Sequence, residues 1–165
     1  MKRKSIPILV SIGLLMSGKL PGRAQDANSY IDDRSDGAAI VRSLYNAIAR
    51  QEYARAYGYF GDRKPVGDYK SFVDGYRNTV DVKVLTGTVT PEGAAGSTYE
   101  PVPVAVRSVD KDGKQQVFAG CYLTRMASAS GQEPPFAPLH IESAELEEVT
   151  GPLESAVPKV CHIPS

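Results

Sequence analysis

The residues of this chain best suited to covalent chemistry are its two cysteines, Cys121 and Cys161. They can form a disulfide bond, or one of them can act as a nucleophilic thiolate with His140 or His162 as its base. A disulfide would close a loop of about 40 residues, which is worth roughly 3–4 kcal/mol through the entropy of the unfolded chain. The choice between the two chemistries depends on the compartment in which the protein works.

A second possible site combines His140 and Glu142, which alternate along a predicted strand and share one face about 7 Å apart. Such a pair can act as a general base with an orienting carboxylate. The preferred interpretation is a polar, solvated strand face, so the two are weak polar candidates and no catalytic residue is assigned. The spacing of a zinc site is missing, because only Cys161 and His162 are adjacent. No metal and no cofactor is predicted.

The N-terminal segment has the three parts of an export signal. Lys2, Arg3 and Lys4 form a basic start, residues 6–16 are mostly apolar, and small residues surround position 24. The apolar run is shorter than the roughly 20 residues that span a bilayer. The sequence therefore predicts a signal peptide at 1–24 and a secreted, periplasmic or extracellular protein. Export favours the disulfide between Cys121 and Cys161 over a reactive thiol.

The two parts of the chain on either side of the predicted cleavage site carry charge of opposite sign. The whole sequence has 19 basic and 19 acidic residues, but residues 1–25 contain five basic and no acidic side chains. The rest carries 14 basic and 19 acidic groups, a net charge of −5. An acidic domain lacks the clustered cations that bind phosphate backbones, so nucleic acid is not expected as a partner. After cleavage no association with a membrane is expected either.

Three helices are predicted after a polar, flexible leader at 25–36. Apolar residues at helical spacing indicate helices at 37–50, 51–60 and 69–78. Asp36 is suited to cap the first of them, with Ser35 as the alternative. These segments contain most of the aromatic residues that could face a common interior.

Alternating apolar residues then predict four strands and a tail. The strands are expected at about 80–90, 99–109, 115–127 and 139–149, with an Asp-Gly turn joining the second to the third. Pro101 and Pro103 direct their nitrogens to the same edge of the second strand. That edge must be solvent-facing, bulged or splayed, because it lacks two donors. The Pro-rich tail at 150–165 is expected to be tied back by the disulfide.

Helices followed by consecutive strands with short turns predict an α+β fold. We expect three N-terminal helices packed on a curved four-stranded antiparallel sheet, which together form a cone-shaped domain over 37–149. The simplest burial of the helical faces is inside the curve of the sheet, and the open end of such a cone can hold a pocket.

This pattern resembles the nuclear transport factor 2-like superfamily, which includes ketosteroid isomerase and polyketide-cyclase-like proteins, and in particular its small exported bacterial members. The segments that carry the resemblance are 39–60, 68–84, 99–106, 117–126 and 139–146. The resemblance implies a pocket inside the cone. It transfers no catalytic residue, because Asp74 and Tyr76 are two positions apart on a helix and point to different sides.

The sequence therefore predicts an exported, non-enzymatic domain that binds a small apolar ligand or a protein partner, as a monomer or a homodimer. The alternative is an enzyme of the isomerase, cyclase or hydrolase type that uses acid–base groups in the cone. The absence of a clear acid–base pair favours binding. The candidate pocket-lining residues are Tyr45, Tyr53, Tyr57, Phe72, Tyr76 and Tyr122.

Overall fold

The computed structural model describes residues 29–62 and 65–161. The predicted signal peptide at 1–24 and His162 lie outside these described residues. The helices are α1 (Gly37–Ala49), α2 (Tyr53–Tyr57), α3 (Tyr69–Tyr76) and α4 (Leu153–Ala156). The strands are β1 (Thr79–Thr86), β2 (Glu92–Ala94), β3 (Ser97–Asp110), β4 (Gln115–Ala127) and β5 (His140–Val149).

The three N-terminal helices form as the sequence predicts, with shorter ends. Asp36 caps α1 by accepting a hydrogen bond from the Ala39 amide at 2.7 Å, which satisfies a free donor of the first turn. The second helix is much shorter than the predicted 51–60. It begins only at Tyr53, because Gln51 adopts a left-handed φ of 58° between α1 and α2, and it ends before Gly58.

One antiparallel sheet, in the order β1-β3-β4-β5, follows the helices, and β2 pairs with β3. Its inner face carries Val102, Val104 and Val106, which are buried against α1 and its neighbours. The predicted α+β architecture is confirmed. Two short elements, β2 and α4, lie outside the predicted helices and strands, and β1 ends at Thr86 rather than near position 90.

The two prolines of β3 lie beside a gap in the sheet. β1 pairs with residues 104–110 of β3, whereas β2 pairs with residues 97–99. Between them, the Pro103 carbonyl accepts a hydrogen bond from the Gly87 amide at 2.8 Å, so the nitrogen of Pro103 points to the same side. Pro101, two residues earlier, has the same orientation. The two backbone N–H donors that these prolines lack would point into this gap. Their absence therefore costs no hydrogen bond between strands.

The C-terminal tail covers the outer face of the sheet. Cys121 of β4 and Cys161 form a disulfide with an S–S distance of 2.08 Å, as the sequence predicts. Between β5 and this bond, α4 packs against β3 and β4, and Leu153 is 5% exposed. The tail is thus part of the folded domain, anchored by one covalent and one apolar contact.

The leader residues 29–36 lie along the helices. The Ile31 amide donates to Asn46 Oδ1 at 2.9 Å. The Arg34 guanidinium donates to the Leu139 carbonyl at 3.1 Å and stacks on the Tyr59 ring at 4.5 Å. This described part of the predicted flexible leader is attached to both the helical layer and the start of β5.

Candidate functional site

A cavity of about 630 Å³ opens between the helices and the inner face of the sheet. This volume is typical of small-molecule sites. Its wall comprises Tyr45, Val66, Ser71, Phe72, Gly75, Tyr76, Asn78, Thr79, Val82, Val106, Ser108, Asp110, Gln116, Phe118, Tyr122, Ala144 and Leu146. Most of these side chains are apolar or aromatic, and the polar ones include two distinct groups.

The first polar group is a pair of buried tyrosines, which we call the tyrosine pair. Tyr45 comes from α1 and Tyr122 from β4, and they are 5% and 3% exposed. Their hydroxyl oxygens are 2.8 Å apart, and their rings meet edge to face with centroids 6.3 Å apart. One hydroxyl donates to the other, so the pair retains one further hydrogen to donate. That hydrogen and the free oxygen lone pairs are available to a ligand.

Burial changes the acid–base character of these hydroxyls. Loss of solvation raises the pKa of Tyr45 and of Tyr122 well above the usual value. Burial also raises the pKa of Tyr76, which lies on α3 with its ring 5.0 Å from that of Phe72. All three hydroxyls are therefore protonated at neutral pH and act as hydrogen-bond donors rather than bases.

Because of these raised pKa values, the folded protein should become less stable as the pH rises above about 10. Above pH 10 the unfolded chain loses tyrosine protons that the folded protein retains, so the free energy of unfolding falls as pH rises, by up to about 1.4 kcal/mol per pH unit for each buried tyrosine. Urea unfolding between pH 9 and 11 should therefore show a shallower decline for Tyr122→Phe than for the wild type. Tyr69→Phe, which alters a hydroxyl on a residue that is 45% exposed, is the control. Parallel curves for all three proteins would contradict the assignment.

The second polar group is a rim at the hairpin end of the sheet. Ser108 of β3 pairs with Gln116 of β4, and both point into the cavity beside Asn78. Asp110 completes the rim and is the only lining residue with a formal charge among those the structure describes. Its Oδ1 accepts hydrogen bonds from the amides of Asp112 and Lys114, both at 2.9 Å. The carboxylate therefore shapes the turn while it borders the cavity.

Four of the six predicted lining residues surround this cavity: Tyr45, Phe72, Tyr76 and Tyr122. Tyr53 and Tyr57 do not line it, because their hydroxyls are engaged elsewhere. Tyr53 donates to the Tyr76 carbonyl at 3.4 Å, and Tyr57 donates to the Gly67 carbonyl at 2.9 Å. These two tyrosines connect α2 to the segment around α3.

The weak polar candidates His140 and Glu142 lie in a different cleft of about 550 Å³. They do share a strand face, with His140 Nε2 and Glu142 Oε2 at 3.3 Å. The other ring nitrogen, Nδ1, contacts the Pro138 carbonyl at 2.9 Å. Both nitrogens of the ring are thus occupied by protein oxygens, which is typical of a structural histidine rather than of a general base.

Residues 29–62 and 65–161 contain neither a cluster of metal ligands nor a membrane-spanning helix. Within these ranges no group of three or more histidine, cysteine or acidic side chains is placed to hold a metal ion. None of the helices in the same ranges is long and apolar enough to cross a membrane.

The fold and the cavity together define an α+β cone domain with a mainly apolar pocket. This is the architecture expected from the resemblance to the nuclear transport factor 2-like superfamily, and it places the tyrosine pair at the buried end of the pocket. The sequence matches no family model and no curated protein significantly.

Three solved structures are similar to this chain at low identity. The first, from Novosphingobium aromaticivorans and described as a proposed aromatic ring hydroxylase, is 11% identical over 68% of this chain and 90% of its own, with a TM-score of 0.46. The second, the beta subunit of a proposed aromatic-ring-hydroxylating dioxygenase from the same organism, is 14% identical over 76% and 95%, with a TM-score of 0.47. A type 2 hexachlorocyclohexane dehydrochlorinase is 9% identical over 77% and 93%, with a TM-score of 0.42. Likeness at this level says nothing about activity.

Proposed function

We propose that this protein binds a small, mainly apolar molecule that presents a hydrogen-bond acceptor to the tyrosine pair. The observation that supports this most directly is the position of the two hydroxyls at the buried end of a mainly apolar cavity. A pocket of this kind favours apolar ligands through burial of their surface, and a few polar groups fix their orientation. Export, predicted from the N-terminal segment, would place this binding outside the cytoplasm.

The enzymatic alternative has one observation in its favour. Two titratable hydroxyls converge in the cavity and could donate to an oxygen that gains negative charge during a reaction. A reaction would also need a base. Among the described lining residues the only carboxylate is that of Asp110, which is at the rim and bonded to the turn amides. Binding without catalysis is therefore the function that we propose.

Calorimetric titration with 1-tetralone and tetralin tests this function. The two compounds have the same fused rings, and only 1-tetralone has a carbonyl oxygen. We expect 1-tetralone to bind about tenfold more tightly, because one hydrogen bond in a buried site contributes about 1.4 kcal/mol. In the Tyr45→Phe/Tyr122→Phe double variant this preference should fall below about threefold. The fold should persist, since replacing both hydrogen-bond partners with apolar groups of the same shape leaves none unsatisfied.

The matched control is the Tyr53→Phe/Tyr57→Phe double variant, which removes two hydroxyls that bond outside the cavity. It should retain the preference for 1-tetralone. Equal affinity of the wild type for the two compounds, or no binding of either, would contradict the proposed function. Exchange of the protons beside the 1-tetralone carbonyl in deuterium oxide, followed by mass spectrometry, tests the alternative. Protein-dependent exchange that the first double variant lacks would identify the pocket as catalytic.

A further inference from the structure

The polar groups at the two ends of the cavity differ, and the cavity wall at the hairpin end includes a carboxylate. The buried end presents the tyrosine pair, whereas the rim presents Asp110 together with Ser108 and Gln116. Asp110 lies eight residues along β3 from Val102, which is opposite Tyr122 in the ladder. This corresponds to roughly 25 Å along the strand. The two polar groups are therefore well separated, and apolar side chains such as Val106 lie between them.

Only one of the two carboxylate oxygens of Asp110 accepts the hydrogen bonds of the turn. Both amide hydrogen bonds of the turn are accepted by Oδ1, from Asp112 and from Lys114. Within the described residues Oδ2 has no hydrogen-bond or ion-pair partner. No lysine, arginine or histidine is among the described residues of the cavity wall. A ligand group that reaches the rim therefore meets a carboxylate that no described wall residue neutralises.

We infer that the pocket selects elongated two-ended molecules, with a hydrogen-bond acceptor at the buried end and an ammonium or other cationic donor group at the rim. This inference rests on the proposed function and specifies the class of ligand. A cation at the rim is attracted to Asp110, and a carboxylate at the same place is repelled by it. Anionic amphiphiles such as fatty acids are thus selected against when their carboxylate lies at the rim.

The test uses three ligands with the 1-tetralone ring system and a decyl chain at position 6, which is long enough to reach from the tyrosine pair to the rim. The chain ends in an ammonium, a hydroxyl or a carboxylate group. At low ionic strength the wild type should bind the ammonium compound about tenfold more tightly than the carboxylate compound, and the alcohol should have an intermediate affinity. Attraction and repulsion between partly exposed charges each change the affinity severalfold. Added salt should reduce the ratio, since it screens both effects.

The informative variant is Asp110→Asn. Its side-chain oxygen can still accept both amides of the turn, so the hairpin should be retained while the charge is removed. We expect the ratio of ammonium to carboxylate affinity to fall to about twofold. Asp112→Asn changes the net charge by the same amount at an exposed residue that does not line the cavity, and it should preserve most of the ratio.

The outcomes separate this inference from the proposed function. If the wild type binds 1-tetralone but does not distinguish the ammonium from the carboxylate compound, the inference is wrong and the proposed function stands. The same holds if Asp110→Asn and Asp112→Asn reduce the ratio equally, because the selection would then come from overall charge. If the wild type binds neither 1-tetralone nor the extended compounds, the proposed function fails together with the inference.

Discussion

Substitution of Gly120 by alanine should destabilise the protein more than any other single methyl group added to the sheet. Gly120 lies on the inner face of β4 between Val104 and Leu146 of the neighbouring strands. A Cβ at this position would overlap the carbonyl oxygen of Glu145 and lie 2.9 Å from the Leu146 Cα. Because these are backbone atoms, the collision can be relieved only by moving β5 away from β4. We expect the free energy of unfolding to fall by about 3 kcal/mol or more.

Urea unfolding followed by circular dichroism measures this effect. The matched control is Gly75→Ala in α3, where an added Cβ meets no atom within 4 Å. Alanine is the better helix former, so the control should be unchanged or more stable by up to about 1 kcal/mol. A Gly120→Ala protein with the unfolding midpoint of the wild type would show that β4 and β5 are not so closely paired at this glycine.

Removal of the disulfide should have an effect of similar size. In the Cys121→Ser/Cys161→Ser double variant, the loop of 40 residues between the two positions is no longer closed in the unfolded chain. The free energy of unfolding should then fall by roughly 3–4 kcal/mol. The tail that α4 and Leu153 hold against the sheet should also become more accessible to proteases, because only non-covalent contacts remain.

Reduction provides the control for this prediction. Dithiothreitol should lower the stability of the wild type to that of the double variant and should leave the double variant unchanged. Two free thiols in the purified native wild type would contradict the bond itself. Equal stability of the oxidised wild type and the double variant would show that the bond contributes nothing to folding.

The long elements could be predicted from the sequence because local pattern and tertiary burial agree in them. The strand predicted at 115–127 matches β4, and the helix predicted at 37–50 differs from α1 by one residue. Of the two elements that were missed, α4 depends on packing against strands distant in sequence, whereas β2 depends on the conformation of a two-residue turn. The pairing of β2 with β3 requires Ala95 and Gly96 to adopt φ angles of 47° and 71°. Positive φ is not evident from an alanine.

The residues that line the cavity could be predicted only in part. The aromatic residues of α1, α3 and β4 were recognised as interior side chains, but helical spacing cannot show which of them border empty space. Tyr53 and Tyr57 have the spacing of lining residues, yet their hydroxyls find backbone acceptors. The rim was not predicted, although the alternation along the strands indicates it. Ser108 lies two residues from Val106, and Gln116 lies two residues from Phe118, so each polar residue shares the inner face of its strand with an apolar one.

The gap in the sheet between β1 and β2 has a consequence for aggregation. An unpaired stretch of strand is a template on which a strand from another molecule can add. At this gap two of the positions that would donate to such a strand are Pro101 and Pro103, which have no amide hydrogen. The outer face beside them is covered by the tail that ends at Cys161. The two prolines therefore protect the protein from edge-to-edge association at the one place where β3 lacks a neighbour among the described strands.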